Sequence, residues 1–272
     1  MEREPNTIYA LSLSYGKDSL ACLGAIEKLG LPLDRIIHSE VWATDTIHAD
    51  LPPMVEFKAK ADKIIKERWG MEVEHISAPK SFEGYFYDTV KTTGERYGFP
   101  VRIVQWCTSR LKTDVLAKSR RKDNGKKIVS YLGIAVDEPE RIARHEKKDD
   151  IILPLVLAGW DEPYCRKWCE ERDLLSPIYT TATRGGCWFC HNQGVEQLRL
   201  LRKNYPDLWA LLMKWDLDSP TTFKADGHTV HDYDKRFQME DEGIIKADEP
   251  FFWKYLEKPP MRQLDFFDKI TR

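Results

Sequence analysis

The chain has 272 residues, of which 42% are hydrophobic and 32% are charged, with a formal net charge of −2 at pH 7. These values predict a folded protein with one large α/β domain and an appendage, or with two small domains. They give no overall attraction to nucleic acid, and no apolar run reaches the length of a membrane helix. Because the charged N-terminus lacks a signal-peptide core, we expect a cytoplasmic protein without a membrane partner.

The first feature along the chain is a polar loop at 14–19, S-Y-G-K-D-S, between a predicted strand at 8–13 and a predicted helix. The first N–H groups of a helix lack partners inside the helix, and the helix dipole favours an anion there. Gly16 allows close approach of the backbone, Lys17 supplies a positive charge, and Ser19 can cap the helix. We interpret the loop as a phosphate site; the alternative is an ordinary polar turn.

Strands and helices then alternate. The pattern predicts strands at 35–42 and 71–76 and a helix at 51–69. This order is typical of an α/β fold with a doubly wound, mostly parallel sheet. Because the loops after parallel strands meet at one edge of the sheet, we expect Glu40 and Asp45 near the phosphate loop. The alternative for Asp45 is a turn or cap residue.

A helix with basic side chains is predicted from 105 onward. Arg110 and Lys112 lie close in sequence to Cys107, and we interpret them as candidate anion contacts. The basic run at 118–127 indicates a solvated helix face and a charged loop. A basic edge of this kind could also hold a nucleic-acid backbone.

A fourth strand is predicted at 127–132, and Gly133 follows it directly. The segment from there to Arg144 carries acidic and basic side chains, as expected of a ligand-facing loop at the carboxyl edge of the sheet. The alternative is a charged surface loop whose internal ion pairs contribute little to stability. A short last strand is predicted at 151–155.

Cysteines are concentrated near the start of the C-terminal part. Cys165 and Cys169 are spaced i, i+4 on a predicted helix, and Cys187-x-x-Cys190 forms a knuckle. Crowded cysteines in a cytosolic chain indicate a metal site more than disulfides. We expect His191, which follows the knuckle, at the surface or beside the metal ligands rather than among them.

The predicted helix with these cysteines is capped by Asp161, and two amphipathic helices follow the knuckle. A hairpin is predicted at 220–250 with Asp226-Gly227 as its turn, and the tail at 251–272 is expected to pack on the body. The expected division is a nucleotide-binding domain over 1–158 and a Cys-rich helical region with a hairpin over 159–272.

Four stretches now follow one another in order: the loop at 14–19, Trp106-Cys107 with Lys112, the segment 133–144, and Gly186-Cys187-x-x-Cys190. In this order they resemble the phosphoadenosine phosphosulfate reductase family and its sulfur-transferase relatives, within the PP-loop ATP-pyrophosphatase superfamily. The resemblance covers about 8–215, and Tyr15 replaces the first glycine of the S-G-G-x-D-S loop.

The resemblance implies a Rossmann-like, adenine nucleotide alpha-hydrolase-like fold with a C-terminal Cys-rich helical appendage. It also implies an adenine nucleotide at the loop, which we interpret as ATP with Mg²⁺. With Glu40 and Asp45 added from the sheet edge, the candidate nucleotide-binding residues are Ser14, Tyr15, Gly16, Lys17, Asp18, Ser19, Glu40, Asp45, Gly133, Arg141 and Arg144. The candidate catalytic residues are Lys17, Asp18 and Lys112.

By position, the resemblance makes Cys107, Cys187 and Cys190 metal ligands, with Cys169 or alternatively Cys165 as the fourth. Four thiolates suit a [4Fe–4S] cluster or Zn²⁺, and we favour the cluster because Cys107 falls at a cluster position of the family. The alternatives are a local zinc clamp made by the four C-terminal cysteines, and free buried thiols that behave as small hydrophobic side chains.

This sequence differs from the family at two cysteine positions, and these differences favour one of the reactions that the family carries out. No cysteine follows Cys190, so the C-terminal thiol of the phosphosulfate reductases is missing, and Cys107 lacks the adjacent cysteine of the adenylyl-sulfate reductases. We therefore favour cleavage of ATP to AMP and pyrophosphate to activate an acceptor substrate, with sulfur transfer at an iron–sulfur site.

Two other functions stay open. One is a sulfonucleotide reductase that uses an external thiol, and the other is a non-catalytic nucleotide- or nucleic-acid-binding module with structural zinc. The acceptor is open among nucleic acid, protein and small molecules, and a homodimer is also left open.

Overall fold

The computed structural model describes residues 3–100, 105–121, 125–145, 147–180 and 185–249. The chain forms two compact units, each made of three segments. Unit 1 comprises Met1–Val41, Asp50–Pro79 and Arg110–Gly185, and unit 2 comprises Trp42–Ala49, Lys80–Ser109 and Gly186–Arg272. The structure thus divides the chain differently from the boundary expected after 158.

A parallel sheet forms the centre of unit 1. In the described part of the chain it has five strands, β1 (Thr7–Ser12), β2 (Arg35–Glu40), β3 (Val73–Ser77), β4 (Lys127–Tyr131) and β5 (Ile151–Ile152). Their order is β3-β2-β1-β4-β5, and every neighbouring pair is parallel. The predicted α/β class with a doubly wound parallel sheet is confirmed.

The strand order reverses between β1 and β4. From β1 the chain winds to β2 and β3 on one side, and it later returns to β4 and β5 on the other. In such sheets ligands bind outside the carboxyl ends of the strands at this switch point. The polar loop at 14–16 follows β1 and Gly133 follows β4 shortly after its end. The topology therefore brings these two segments to the edge where a ligand is expected.

The α-helices, in chain order, are α1 (Lys17–Leu29), α2 (Pro52–Trp69), α3 (Phe82–Phe86), α4 (Trp106–Thr108), α5 (Asp114–Arg121), α6 (Pro139–Ala143), α7 (Pro154–Ala158), α8 (Glu162–Glu170), α9 (Val195–Asn204), α10 (Pro206–Asp218) and α11 (Val230–Asp241). A π-helical segment, Ser109–Thr113, joins α4 to α5, and Pro177–Thr180 is a 3₁₀ helix.

Helix α8 belongs to unit 1 because it packs closely on α1. A Cβ atom on Gly24 would lie 2.4 Å from the ring of Trp168, so the backbone of α1 touches the indole directly. Trp168 and the neighbouring Cys165 and Cys169 are buried in the hydrophobic core of the unit. As predicted, Asp161 caps α8, and its side chain accepts a hydrogen bond from Tyr164 N (2.8 Å). This packing places 159–185 with the sheet.

The last predicted strand, at 151–155, is shorter in the structure. It ends at Ile152, and α7 begins at Pro154. Proline has no N–H for a strand ladder, and its fixed φ suits the first position of a helix.

Unit 2 has an aromatic core. Phe82 of α3 packs against Phe189 with ring centroids 4.2 Å apart, and Trp188 stacks on Trp215 of α10 at 5.5 Å. The short aromatic helix α3 therefore has a packing role in this unit.

The predicted hairpin at 220–250 is wrong. Asp226-Gly227 does form a turn, with Gly227 at φ 92°, but the chain then enters α11 instead of a second strand. Thr229 and Asp232 form a reciprocal capping box at the start of this helix. The spacing Thr-x-x-Asp is the local signal for this start, and it outweighs the turn as a hairpin signal.

The predicted tail at 251–272 lies outside the described residues, as do 101–104, 122–124, 146 and 181–184. None of the helices in the described part of the chain is both long enough and apolar enough to cross a membrane.

Candidate functional site

The loop between β1 and α1 has an unusual backbone at Tyr15. Its φ is 57°, in the left-handed region that costs an ordinary residue about 1–2 kcal/mol. The side chain is fully buried, and its hydroxyl group hydrogen-bonds to Asp62 and to His75 Nε2 (3.1 Å). These contacts offset the strain. They explain how a tyrosine stands where the resembling loop has glycine, the residue that adopts this conformation freely.

The two serines hold the loop closed. Ser19 Oγ accepts hydrogen bonds from Ser14 N (3.1 Å) and Ser14 Oγ (3.0 Å) and donates one to Gly16 O (3.0 Å). Ser19 is also buried. Its hydroxyl therefore stabilises the loop backbone, and contact of either serine with a nucleotide stays a prediction.

The N-terminus of α1 begins directly after Gly16, which offers no side-chain cap. Lys17 N donates a hydrogen bond to the hydroxyl group of Tyr179 (3.1 Å), from the 3₁₀ helix of the same unit. A phenol oxygen thus occupies an acceptor position at the helix N-terminus, where a phosphate oxygen would bind. Sequence reasoning missed Tyr179, because no local pattern links it to a loop 162 residues away.

Lys17 lies between two carboxylates. Its Nζ bonds to both oxygens of Asp18 (3.0 Å) and to Glu162 Oε2 (2.7 Å). Burial would lower the pKa of Lys17, but the hydrogen bonds with Glu162 and Asp18 outweigh it and raise the pKa, so the side chain is an ammonium. Glu162 is positioned by its own backbone N–H, which donates to Asp137 (3.1 Å). In the sequence, Glu162 is marked only by its place directly after the cap residue Asp161.

Gly133 acts through close packing. A Cβ atom on Gly133 would lie 2.7 Å from the carbonyl group of Asp18 and from Ser19 N. The segment after β4 therefore touches the first turn of α1, and any side chain there would displace one of them. The structure brings the loop and Gly133 together as predicted, and any contact of Gly133 with a nucleotide stays a prediction.

The two arginines of the segment 133–144 are engaged in ion pairs. Arg141 hydrogen-bonds to Glu138, and Arg144 lies 3.8 Å from Glu140. Both arginines are at least half exposed, so these pairs contribute little stability and leave the guanidinium groups accessible. Lys112 lies exposed in the π-helical segment. Their roles as anion contacts and, for Lys112, in catalysis stay predictions.

Glu40 and Asp45, which the sequence placed together, belong to different units. Glu40 is buried in β2, where Lys58 Nζ donates to both of its oxygens (2.9 and 3.1 Å). Burial would raise the pKa of Glu40, but its contacts with His38 and Lys58 outweigh burial and lower it, so it is ionised. Asp45 accepts from the hydroxyl group of Ser81 (2.9 Å), the cap residue of α3, and a contact of Asp45 with a nucleotide stays a prediction.

The cysteines also divide between the units. Cys107, Cys187 and Cys190 are half-buried in unit 2. Cys190 N donates a hydrogen bond to Cys187 O (3.0 Å), which closes a turn between these two cysteines. Cys165 and Cys169 are fully buried in unit 1, where Cys169 Sγ donates to Lys17 O (3.3 Å). Burial raises the pKa of each of these two thiols to about 12. Their burial is that expected of the small hydrophobic thiols of the alternative interpretation, and a role of Cys169 or Cys165 as the fourth ligand stays a prediction.

The donor set of unit 2 can be tested against the two predicted metals. A tetrahedral Zn²⁺ with bonds of about 2.3 Å needs sulfur atoms about 3.8 Å apart. Within the described residues, no three cysteine sulfur atoms lie within 4.8 Å of one another. A [4Fe–4S] cluster binds one thiolate at each iron corner and spaces the ligands more widely. The choice between the two metals for Cys107, Cys187 and Cys190 stays a prediction.

His191 is buried, which differs from the surface position allowed by the sequence. Among the described residues neither of its ring nitrogens has a hydrogen-bond partner. Burial and the nearby charge of Lys224 lower its pKa, so the imidazole is neutral. A neutral, unpartnered imidazole next to Cys190 is a further candidate donor in this unit.

Comparisons with known proteins give distant similarities. No family model matches the chain. The uncharacterized protein MJ0066 of Methanocaldococcus jannaschii is 22% identical over 215 residues, which cover 76% of this chain and 40% of that protein. The chain therefore spans less than half the length of this curated relative. A solved structure, the U34-tRNA thiolase NcsA from Methanococcus maripaludis with its [4Fe-4S] cluster, is 13% identical with a TM-score of 0.39, covering 85% of this chain and 81% of that one.

Proposed function

We propose that this chain binds ATP with Mg²⁺ at the N-terminus of α1 and cleaves it to AMP and pyrophosphate to activate an acceptor substrate. The observation that carries the proposal is the contact of Gly133 with the first turn of α1, at the switch point of the parallel sheet. At this point the N-terminus of α1 is surrounded by its own backbone N–H groups, the ammonium of Lys17 and the carboxylates of Asp18 and Glu162.

These groups have complementary roles in the reaction. The helix N-terminus and Lys17 bind the phosphates and neutralise the charge that develops on the leaving pyrophosphate. The two negative charges of Asp18 and Glu162 exceed the single positive charge of the Lys17 ammonium between them. Carboxylate oxygens are the ligands that Mg²⁺ prefers. As the phosphates draw Lys17 towards them, the two carboxylates are left to hold the ion.

The bond changes follow from this arrangement. A nucleophilic oxygen or nitrogen of the acceptor attacks the α-phosphorus, and the bond from that phosphorus to the bridging oxygen breaks. Pyrophosphate leaves with the electron pair, the acceptor loses its proton to water, and AMP stays joined to the acceptor. When the acceptor is activated through oxygen, a sulfur nucleophile can then attack the carbon that bears this oxygen. The carbon–oxygen bond breaks and AMP leaves with the oxygen and the electron pair, which completes sulfur transfer.

The metal part of the proposal rests on unit 2. Cys107, Cys187 and Cys190 would hold a [4Fe–4S] cluster, with His191 as a further candidate donor. Such a cluster can bind sulfur or carry electrons when it is present. The acceptor belongs to one of three classes, nucleic acid, protein or small molecule, and the resemblance of the four motifs supports sulfur transfer to it.

The test compares Lys17→Ala with the unmodified chain. Calorimetry measures binding of ATP with Mg²⁺, and a coupled assay measures pyrophosphate release. Loss of a hydrogen-bonded charge costs about 1.5–3 kcal/mol, so we expect ATP affinity to fall about tenfold to a hundredfold and release to stop. Lys28→Ala, in the exposed last turn of the same helix, is the matched control and should change neither.

Unchanged pyrophosphate release in Lys17→Ala would contradict the role of this lysine. Tight binding of adenylyl sulfate in preference to ATP would favour the sulfonucleotide reductase instead. Nucleotide binding without any product, in a protein that contains zinc, would favour the non-catalytic module.

A further inference from the structure

A second polar cluster lies in unit 1, on β2 and β3. His38 and His75 are register partners on these adjacent parallel strands, and Glu40 lies two residues beyond His38 on β2. Side chains two residues apart on a strand point to the same face, so the sheet itself gathers these three groups. Within the described residues, they are the one group of three or more potential metal ligands whose ligand atoms lie within 4.8 Å of one another.

The outer hydrogen bonds of the two histidines assign their tautomers. His38 Nδ1 lies 2.9 Å from Leu13 O, and His75 Nε2 lies 2.8 Å from Asp62 Oδ2. Carbonyl and carboxylate oxygens only accept, so each of these nitrogens carries a hydrogen. Metal-binding histidines make this same kind of outer contact, which orients the ring.

The opposite nitrogens of both rings converge on one oxygen atom. His38 Nε2 and His75 Nδ1 each lie 3.4 Å from Glu40 Oε2. Donor atoms at two corners of a tetrahedron with metal bonds of about 2.1 Å are about 3.4 Å apart. Both nitrogen–oxygen distances therefore match the spacing between two ligands of one bound ion.

The charges around this point also fit a cation. Glu40 and Asp50 both contact the ammonium of Lys58, and Asp62 contacts His75, so this cluster holds three carboxylates and one ammonium. Lys58 Nζ lies 2.9 Å from both His38 Nε2 and Glu40 Oε1 and 2.5 Å from Asp50. The ammonium of Lys58 therefore occupies the place that a metal cation would take. If the ammonium moves away from Glu40, Asp50 can remain its ion-pair partner.

We propose that His38 Nε2, Glu40 and His75 Nδ1 form a site for one divalent transition-metal ion, with Lys58 as an internal competitor for the same position. Two imidazoles and one carboxylate select ions such as Zn²⁺ or Fe²⁺ over Mg²⁺, which prefers oxygen ligands. The side chain of His75 is 36% exposed, which provides access for the ion.

The hydrogen bonds of Tyr15 link this site to the phosphate loop. Its hydroxyl group contacts both His75 Nε2 and Asp62, which together orient one of the three ligands. An ion bound by His75 would therefore help to hold Tyr15 in its left-handed conformation at the start of the loop.

The test is a Zn²⁺ titration of the chelator-treated, full-length chain in competition with a chromophoric chelator. Relative to the unmodified chain, we expect His75→Gln to lose one bound Zn²⁺ per chain. Lys58→Met removes the competing ammonium and should bind that ion at least about tenfold more tightly, a difference of about 1.4 kcal/mol. Lys60→Met is the matched control on the same helix, because Lys60 is exposed and its ammonium pairs with the exposed Asp173. Lys60→Met should change neither the number of bound Zn²⁺ ions nor their affinity.

Repeating the titration with Co²⁺ distinguishes a metal ion at the proposed site from one bound by cysteines. Cobalt at the proposed site shows visible d–d bands that disappear in His75→Gln, without the sulfur-to-cobalt charge-transfer band of a thiolate site. Equal stoichiometry in the unmodified chain and His75→Gln, or no gain of affinity in Lys58→Met, overturns the proposal. If Lys58→Met does not fold, the comparison with His75→Gln decides alone.

Discussion

At the scale of single residues, the loop depends on two positions where the backbone leaves little freedom. Tyr15 adopts φ 57° because its buried ring and its bonds to Asp62 and His75 hold it there. Gly133 touches the first turn of α1, where a Cβ atom would lie 2.7 Å from backbone atoms. Neither position needs to contact a nucleotide directly to determine whether α1 presents its N–H groups to one.

Gly133→Ala should therefore weaken nucleotide binding. Overpacking against backbone costs about 1–3 kcal/mol, because neither β4 nor α1 can yield as a flexible side chain would. We expect the affinity for ATP with Mg²⁺, measured by calorimetry, to fall by about tenfold or more. Gly185→Ala is the control, since its Cβ atom would meet only a side-chain methyl group at 3.7 Å. Equal ATP affinities in the two variants would show that the contact at Gly133 does not control the site.

At the scale of elements, α1 connects the loop to the core through α8. Gly24 lies in the middle of α1, where glycine normally destabilises a helix by about 1 kcal/mol relative to alanine. Its position is explained by the indole of Trp168, which occupies the space of a side chain. The same helix pair brings Glu162, at the start of α8, to Lys17 at the start of α1. The close packing of α1 against α8 in the core therefore determines how Lys17 and Glu162 meet at the start of the two helices.

Gly24→Ala should destabilise the protein in spite of the better helix propensity of alanine. We expect the free energy of unfolding to fall by about 1–3 kcal/mol, measured by denaturant titration. Trp168→Leu supplies the second arm of a double-mutant cycle, because leucine leaves room for the new methyl group. In that background Gly24→Ala should be neutral or stabilising. A cost of Gly24→Ala that is the same in both backgrounds would contradict the proposed contact.

At the scale of the whole molecule, the cysteines are divided between two units that alternate along the chain. Cys107, Cys187 and Cys190 belong to unit 2, although 79 residues separate the first two in sequence. Cys165 and Cys169 are nearer to the knuckle in sequence and yet belong to the core of unit 1. The raised pKa of the two core thiols opposes the thiolate form that a metal requires.

This division leads to a prediction about metal content. In protein purified without oxygen, single replacement of Cys107, Cys187 or Cys190 by alanine should remove bound iron and labile sulfide. Cys169→Ala should retain both and should lower only the free energy of unfolding. Iron and sulfide analysis with a visible absorption spectrum provides the measurement. Loss of iron in Cys169→Ala would instead restore this residue as the fourth ligand.

Local sequence signals predicted the elements that depend on neighbours in the chain. Apolar alternation and helical periodicity located β1 to β4, α1 and α2, Asp161 predicted the start of α8, and the loop at 14–19 was placed correctly at the edge of the sheet. The error at 220–250 arose where two local signals competed, a turn at Asp226-Gly227 and a cap at Thr229. These features were accessible because their hydrogen bonds join residues a few positions apart.

The sequence by itself determined the α/β class, the polar loop at 14–19 between β1 and α1, and the cysteine knuckle, because each depends on residues close together in the chain. Only the tertiary structure decided that Tyr179 and Glu162 reach Lys17, that Glu40 is buried among His38, His75 and Lys58, and that Cys169 is a core side chain. The physical reason is that these contacts join residues far apart in sequence. Their existence depends on the packing of whole helices and strands, which no local pattern specifies.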